Sequence, residues 1–341
     1  MYDFTVALDA MGGDFGPRIT VPAAVQALSH FPEIRVIITG NQEEITNQLS
    51  GLGYYDRTRV RIVHCPQVIS NSERPSVVLR RRLESSMSQA IRFVASGDAQ
   101  ACVSGGNTGA LVALSRFFLK SLPGIDRPAL AASLPTSDGK RTWMLDLGAN
   151  VSSDVSSLFQ FAVMGSALAE QYLYHPPQLA ILNIGEEETK GNNQIKTCAK
   201  LLRKTSGVRF IGNIEGGQIL SGIADVIVCD GFVGNICLKS CEGVARVLTD
   251  KLKSKMSRSS IKSWVARKLF HELFTELKAF NPDRHNGASL LGLRGIVVKS
   301  HGRADVLAFL SAIGEALREM KKQIPNRISD RLKATLIERR Y

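Results

Sequence analysis

Short β-branched apolar runs alternate with amphipathic segments from the first residues to about residue 240, and few architectures other than repeated β-α units around a mainly parallel sheet satisfy that alternation. The strand-like runs fall at 4–9, 34–39, 59–63, 99–103, 129–134, 142–146, 178–183, 208–211, 225–229 and 296–299. Helical stretches follow most of them: Ile19 to Ser29, Ser85 to Ser96, Ala110 to Phe118, Val155 to Tyr172 and Gln194 to Lys204. No internal repeat or low-complexity segment interrupts the pattern.

With 341 residues, 44% of them hydrophobic, the chain has apolar surface for one large domain or two interlocked ones. Its six cysteines form no CxxC pair, and several sit in apolar runs such as Val226 to Cys229, so they read as reduced core residues of a cytosolic protein. The N-terminus enters a strand without the basic and apolar regions of a signal peptide, and no apolar run approaches the ~18 residues of a spanning helix. A soluble, cytoplasmic protein is expected.

A formal charge of +12 favours an acidic partner: nucleic acid, anionic lipid, an acidic carrier protein or phosphorylated metabolites. Nucleic acid is disfavoured, because aromatic residues make up only 6% and no recognition module is visible. Residues 236–256 and 260–280 read as two long helices, and 245–285 carries ten Lys or Arg against four Asp or Glu, which makes a basic arm with an apolar stripe. Such a hairpin serves as a solvated helix pair packed on its own domain or on a second subunit, or as a docking site for an acidic partner or membrane. The segment from Lys321 to Tyr341, also basic, reads as a loosely attached tail.

Several strand ends run into small polar turns: Asp9 to Asp14, Ser104 to Gly109, Asp146 to Asn150 and Asp230 to Asn235. Ligands of open α/β sheets collect outside the carboxyl ends of strands. Glycine there lets backbone N–H groups and the positive end of a helix approach an anion, although a tight turn needs glycine for its own reasons. No GxGxxG, GxxxxGK[ST], HExxH or GxSxG occurs, which argues against dinucleotide dehydrogenases, P-loop ATPases, zinc hydrolases and α/β-hydrolases. The six histidines lack metal-ligand spacing, so no metal or other cofactor is expected. His301, in Lys299-Ser300-His301-Gly302, closes a strand with cationic and hydrogen-bonding groups. In 183–191 the carboxylates of Glu186, Glu187 and Glu188 would repel a phosphate, so their expected job is to hold Lys190.

LDAMGGDFGP at 8–17, SGGNTGAL at 104–111, LDLGAN at 145–150, NIGEEETKG at 183–191, CDGFVGN at 229–235 and NGASLLGLRGIVVKSHG at 286–302, in this order, resemble the bacterial phosphate acyltransferase family. Its members move a fatty acyl group from acyl carrier protein onto inorganic phosphate. The resemblance runs to about residue 320. It implies a homodimer of three-layer α/β/α sandwiches, similar to phosphate acetyltransferases and isocitrate dehydrogenases, with one catalytic domain over 1–320. The hairpin over 236–284 and the tail over 321–341 complete the expected organisation. The chain departs from the family pattern at Ser152-Ser153, at Gly217-Gln218 and at His285, which bears on the pocket lining rather than the reaction class.

Phosphate is already an anion near neutral pH, and a thiolate leaving group with a pKa of roughly 8.5 needs no strong base. What the reaction needs is positioning and charge stabilisation. Lys190 and Asn235 are the expected catalytic residues, as cation and amide donor. Asp9, Gly12, Gly13, Gly105, Gly106, Asn107, Thr108, Asp146, Asn150, Asp230, Lys299 and His301 are the expected substrate-binding residues, with the peptide amides converging on one oxyanion and Asp9 and Asp230 ordering the loops. Arg246, Lys251, Lys253, Lys255 and Arg258 are expected to dock acyl carrier protein. Trp264, Val265, Leu269 and Phe270 would touch the bilayer, where, as the resemblance implies, a membrane acyltransferase would take up the acyl phosphate for phospholipid synthesis. A phosphate acetyltransferase-like enzyme using short acyl-CoA and a non-catalytic carrier-protein or lipid scaffold remain alternatives.

Overall fold

The computed structural model describes residues 3–256 and 286–338. The strands are β1 (Phe4–Asp9), β2 (Ile34–Gly40), β3 (Val60–His64), β4 (Ala101–Ser104), β5 (Ala129–Pro135), β6 (Arg141–Leu145), β7 (Gln178–Leu182), β8 (Arg209–Ile214), β9 (Val226–Val228), β10 (Ala288–Leu291) and β11 (Ile296–Lys299). They form one 11-stranded sheet in the order β3-β2-β1-β4-β11-β10-β5-β6-β9-β7-β8. All ten runs expected from the sequence are strands; β10 is the addition. It is short and holds Ala288 and Ser289, and it is a strand because it pairs on both sides, with β11 and β5.

Within β3-β2-β1-β4-β11, and again within β6-β9-β7-β8, neighbouring strands are parallel. Between the groups the steps β11-β10, β10-β5 and β5-β6 are antiparallel. Three reversals make the two parallel groups run in opposite senses, a refinement of the mainly parallel sheet expected.

The helices follow from strong local signals. Pro17 opens α1 (Pro17–His30) at a position that needs no N–H. Asn41 caps α2 (Gln42–Ser50), while α3 (Pro75–Arg81) again starts on proline. The Ser85 hydroxyl accepts from the Ser88 N–H to start α4 (Ser86–Ser96), and left-handed Gly97 ends it. Asn107, Asp154 and Asn192 cap α5 (Thr108–Leu119), α6 (Val155–Ala169) and α7 (Asn193–Arg203). After α8 (Gly231–Met256) come α9 (Val306–Lys322), capped by Asp305, and α10 (Ile324–Glu338).

On one face of the sheet, α1, α2 and α9 cover the first strand group and α6, α7 and α10 the second, each burying its own apolar cluster. On the other face α3, α4 and α5 cover only the first group. The β10-β11 and β5-β6 links are hairpins, which need no crossover helix. Strands β10 and β5 are therefore left open on that face between α5 and α8.

The C-terminal segment is not the loose tail expected. Ile324, Ile328 and Leu332 of α10 are buried in the cluster that α6 builds, because helical spacing puts all three on one stripe. Of the expected hairpin, the first helix exists as α8; the second, and with it any protruding arm, lies outside the described residues.

Candidate active site

The loop after β1 is built on a buried carboxylate. Asp9 is fully enclosed and accepts from the hydroxyls of Ser86 and Ser104, each at 2.6 Å. Burial pushes its pKa up against those hydrogen bonds. The Ser104 hydroxyl in turn accepts from the Gly106 N–H at 3.1 Å. A β-carbon on Gly12 would stand 2.7 Å from the Gly106 nitrogen, so glycine is what lets these two turns touch. The loop after β11 joins them: the Asp14 N–H donates to the Gly302 carbonyl at 2.8 Å, and Lys299 Nζ donates to the Gly105 carbonyl at 3.3 Å.

A second cluster forms after β6 and β9. Buried Asp146 accepts from the backbone N–H groups of Leu130, Gly148, Ala149 and Asn150 and from the Asn150 side chain. Burial raises its pKa and these donors oppose the rise. Asp230 takes the N–H groups of Ser153 at 2.7 Å and Phe232 at 3.0 Å. Glycine is obligatory at the junction: a β-carbon on Gly234 would lie 1.9 Å from the Asp146 carbonyl oxygen, and one on Gly231 would lie 2.1 Å from that of Asn150.

The loops do not form the single cradle expected. Register places Val298, Ser289, Ala131 and Leu145 in one row. Three strand steps make that row about 14 Å long. One cluster starts a residue beyond one end of the row, the other a residue beyond the opposite end. No single phosphate reaches both roots.

Both clusters instead face a shared groove of about 730 Å³, open over β5 and β10. Thr108, Lys299, Ser300, His301 and Gly302 line it from the first cluster, and Leu147, Gly148 and Asn235 from the second. Helix α8 forms the wall and presents two stripes. Asn235, Lys239, Glu242 and Arg246 make a polar one, while Leu238, Cys241, Ala245 and Leu248 make an apolar one beside it.

The polar stripe meets the β11 loop. Lys239 Nζ lies 3.0 Å from His301 Nε2 and 2.9 Å from Glu242 Oε2, and His301 Nδ1 accepts the Arg303 N–H at 3.1 Å. Burial first, and the Lys239 charge second, lower the His301 pKa. The same two causes bring Lys299 down to about 8. Two ammonium groups that repel each other across a groove make a site for an anion.

Of the expected substrate-binding residues, Thr108, Lys299 and His301 line the groove, and so does Asn235. Asp9, Asp146, Asn150 and Asp230 commit their polar atoms to the loops. Asn107 caps α5 and donates to the carbonyls of Asn71 and Glu73. Gly12, Gly13, Gly105 and Gly106 bring backbones together.

Lys190 is exposed in the loop between β7 and α7 and is not among the groove-lining residues. Two of the three carboxylates expected to hold it are engaged elsewhere, Glu186 accepting from Gln218 at 2.6 Å and Glu188 pairing with Arg203 at 2.8 Å, while the Glu187 backbone carbonyl accepts the Lys190 N–H at 3.1 Å. The Gly217-Gln218 departure thus ties down the Lys190 loop, while the Ser153 backbone binds Asp230.

Arg246 lines the groove, and Lys251, Lys253 and Lys255 lie on the last turns of α8. Arg258, Trp264, Val265, Leu269, Phe270 and His285 lie outside the described residues. Sequence reasoning missed Lys239 and Glu242. Their signal was there: Asn235, Lys239, Glu242 and Arg246 keep polar groups at helical spacing beside an apolar stripe.

A family model described as "Fatty acid synthesis protein" matches residues 4–327. A phosphate acyltransferase of Vibrio vulnificus (strain YJ016) is 66% identical over 341 residues, all of both chains. One of Vibrio cholerae (strain N16961) is 67% identical, again over the full length of both. Among solved structures, a Streptococcus pyogenes phosphotransacetylase superposes with a TM-score of 0.61 at 17% identity, covering 94% of each chain. The Staphylococcus aureus EutD phosphotransacetylase gives 0.57 at 17% identity, covering 92% of this chain and 94% of its own. These two share the fold, whereas the Vibrio relatives share the residues as well, and on that ground the chain belongs to the phosphate acyltransferase family and is an acyltransferase.

Proposed function

We propose that the groove binds inorganic phosphate beside the thioester of a fatty acyl carrier protein and transfers the acyl group to phosphate, giving an acyl phosphate. The observation that carries this reading is the pair Lys239 and Lys299. Both line the groove, they repel each other, and Asn235 stands one helical turn from Lys239 on the same stripe. Residues four apart on a helix have β-carbons about 5–6 Å apart, which leaves room for one phosphate between amide and ammonium.

A phosphate oxygen attacks the thioester carbon, the carbonyl oxygen takes up charge, and the intermediate collapses with expulsion of the thiolate. Asn235 donates its amide N–H to the oxyanion. Lys239 and Lys299 fix and orient the nucleophile, and Lys190, on the loop after β7 and outside the groove lining, adds its positive charge to the surrounding field. One oxyanion donor is worth ~3 kcal/mol, roughly a hundredfold in rate. Asn235→Ala is therefore expected to lower kcat about that much, and Lys299→Met to raise the phosphate KM. Acyl-phosphate formation by folded variants is the measurement. Near-normal turnover of both Asn235→Ala and Lys190→Ala would remove the catalytic assignment, and activity with acetyl-CoA but none with a palmitoyl carrier thioester would favour the short-chain reading.

An acidic carrier protein suits a chain of charge +12 with Arg246 at the groove and Lys251 exposed beyond it. A third stripe of α8, with Ile236, Val244 and Val247 all about half exposed, suits a second copy of the chain. Reversible membrane contact through Trp264, Val265, Leu269 and Phe270 rests on the sequence pattern, and liposome flotation of Trp264→Glu tests it. Undiminished flotation would refute that contact.

A further inference from the structure

We infer that the apolar half of the groove is the acyl-chain channel, and that Ala132 and Ala288 on its floor set which chain lengths enter. The inference rests on the proposed reaction and adds a specificity determinant to it. Leu130, Ala132 and Leu134 alternate along β5 on one face, and pairing of Ser289 with Ala131 puts Ala288 beside Ala132. The wall is the stripe Leu238, Cys241, Ala245 and Leu248, with Leu220 also in the lining.

This apolar track begins next to the anion site and leads away from it. Leu238 follows Asn235 within one turn, and the ten residues from Leu238 to Leu248 advance about 15 Å. An extended hydrocarbon with C–C bonds of ~1.5 Å advances roughly 1.25 Å per carbon, so about twelve methylenes fit along the wall. An acetyl group would leave nearly all of a groove of about 730 Å³ to water. The occupant that matches the length, the apolar lining and the adjoining cation pair is one long acyl chain attached to a thioester.

Both alanines are only partly buried, and their methyl groups are among the smallest side chains in the lining. A larger side chain there enters the channel rather than the packed core. The expected result is a change in length preference: in Ala132→Phe and Ala288→Phe the ratio of palmitoyl to butyryl thioester kcat/KM falls at least about tenfold. Ala132→Leu, a smaller intrusion, shifts the ratio in the same direction by less. A ratio within twofold of the parent in correctly melting variants would overturn the inference, as would a fall of equal size for both donors.

Calorimetric titration with palmitate, without phosphate or carrier, separates this inference from the catalytic reading. Palmitate binding that weakens in Ala132→Phe sustains the channel even if the parent makes no acyl phosphate. Palmitate binding untouched by Ala132→Phe and Ala288→Phe overturns it even if the parent is fully active.

Discussion

Lys299 sits where burial and the Lys239 ammonium both penalise its charge, which brings its pKa down to about 8. Its cationic form is full below that value and disappears above it. Phosphate affinity is accordingly expected to fall as pH rises through about 8, and Lys299→Arg, whose guanidinium stays charged, should remove that fall; phosphate KM against pH is the measurement. Glu319 shows the opposite case. Buried beneath β10 and hydrogen-bonded by the Ser289 hydroxyl, it has a pKa raised from 4.5 to about 8. Because the folded value lies above the unfolded one, its stabilising contribution is complete below about pH 4.5 and is lost as pH climbs to 8. Glu319→Gln keeps an acceptor for Ser289 and cannot ionise, so it should melt about 4 °C or more above the parent at pH 8 and converge with it in acid. Gly234→Ala has no such escape. With the Asp146 carbonyl 1.9 Å from the added carbon, a loss above the ~1–3 kcal/mol of ordinary overpacking is expected in a thermal melt. The motifs were legible because glycine and aspartate at strand ends announce tight turns. That Asp146 faces inward was not, since burial depends on which loops meet.

Arg59 illustrates how one side chain can hold elements together. Its guanidinium is buried and donates to the carbonyls of Leu28, Phe31 and Ile34, tying the end of α1 to the start of β2. Arg59→Lys retains the charge but cannot satisfy carbonyls in several directions, and a loss of about 2 kcal/mol in denaturant unfolding is expected. Helix α10 carries a similar burden at the other end of the chain. Leu332→Ala should cost ~3 kcal/mol, because the residue is buried against the α6 cluster rather than trailing in solvent. The basic composition of the segment obscured this: charged residues dominate the count, while the apolar positions at Ile324, Ile328 and Leu332 keep a helical period. Strand β10 was illegible for a different reason. Its four residues form a strand through pairing with β11 and β5, which are distant or reversed in sequence.

At the scale of the molecule, the opposed senses of the two strand groups decide where the site lies. Hairpins at the reversals leave β10 and β5 without a covering helix on the groove face alone, and α8, rooted in the Asp230 turn, walls one side of the gap. Alternating β-α units were readable from periodicity. The reversal was not, because sequence runs of the same texture pair in either direction. The central claim, that this groove brings phosphate to a fatty thioester, is tested most directly by incubating the protein with acyl carrier protein thioester and radiolabelled phosphate. Label appearing in an acyl phosphate trapped by hydroxylamine, in step with thioester loss, is the predicted result. Thioester that persists, or that is hydrolysed with all label remaining in inorganic phosphate, would contradict the account.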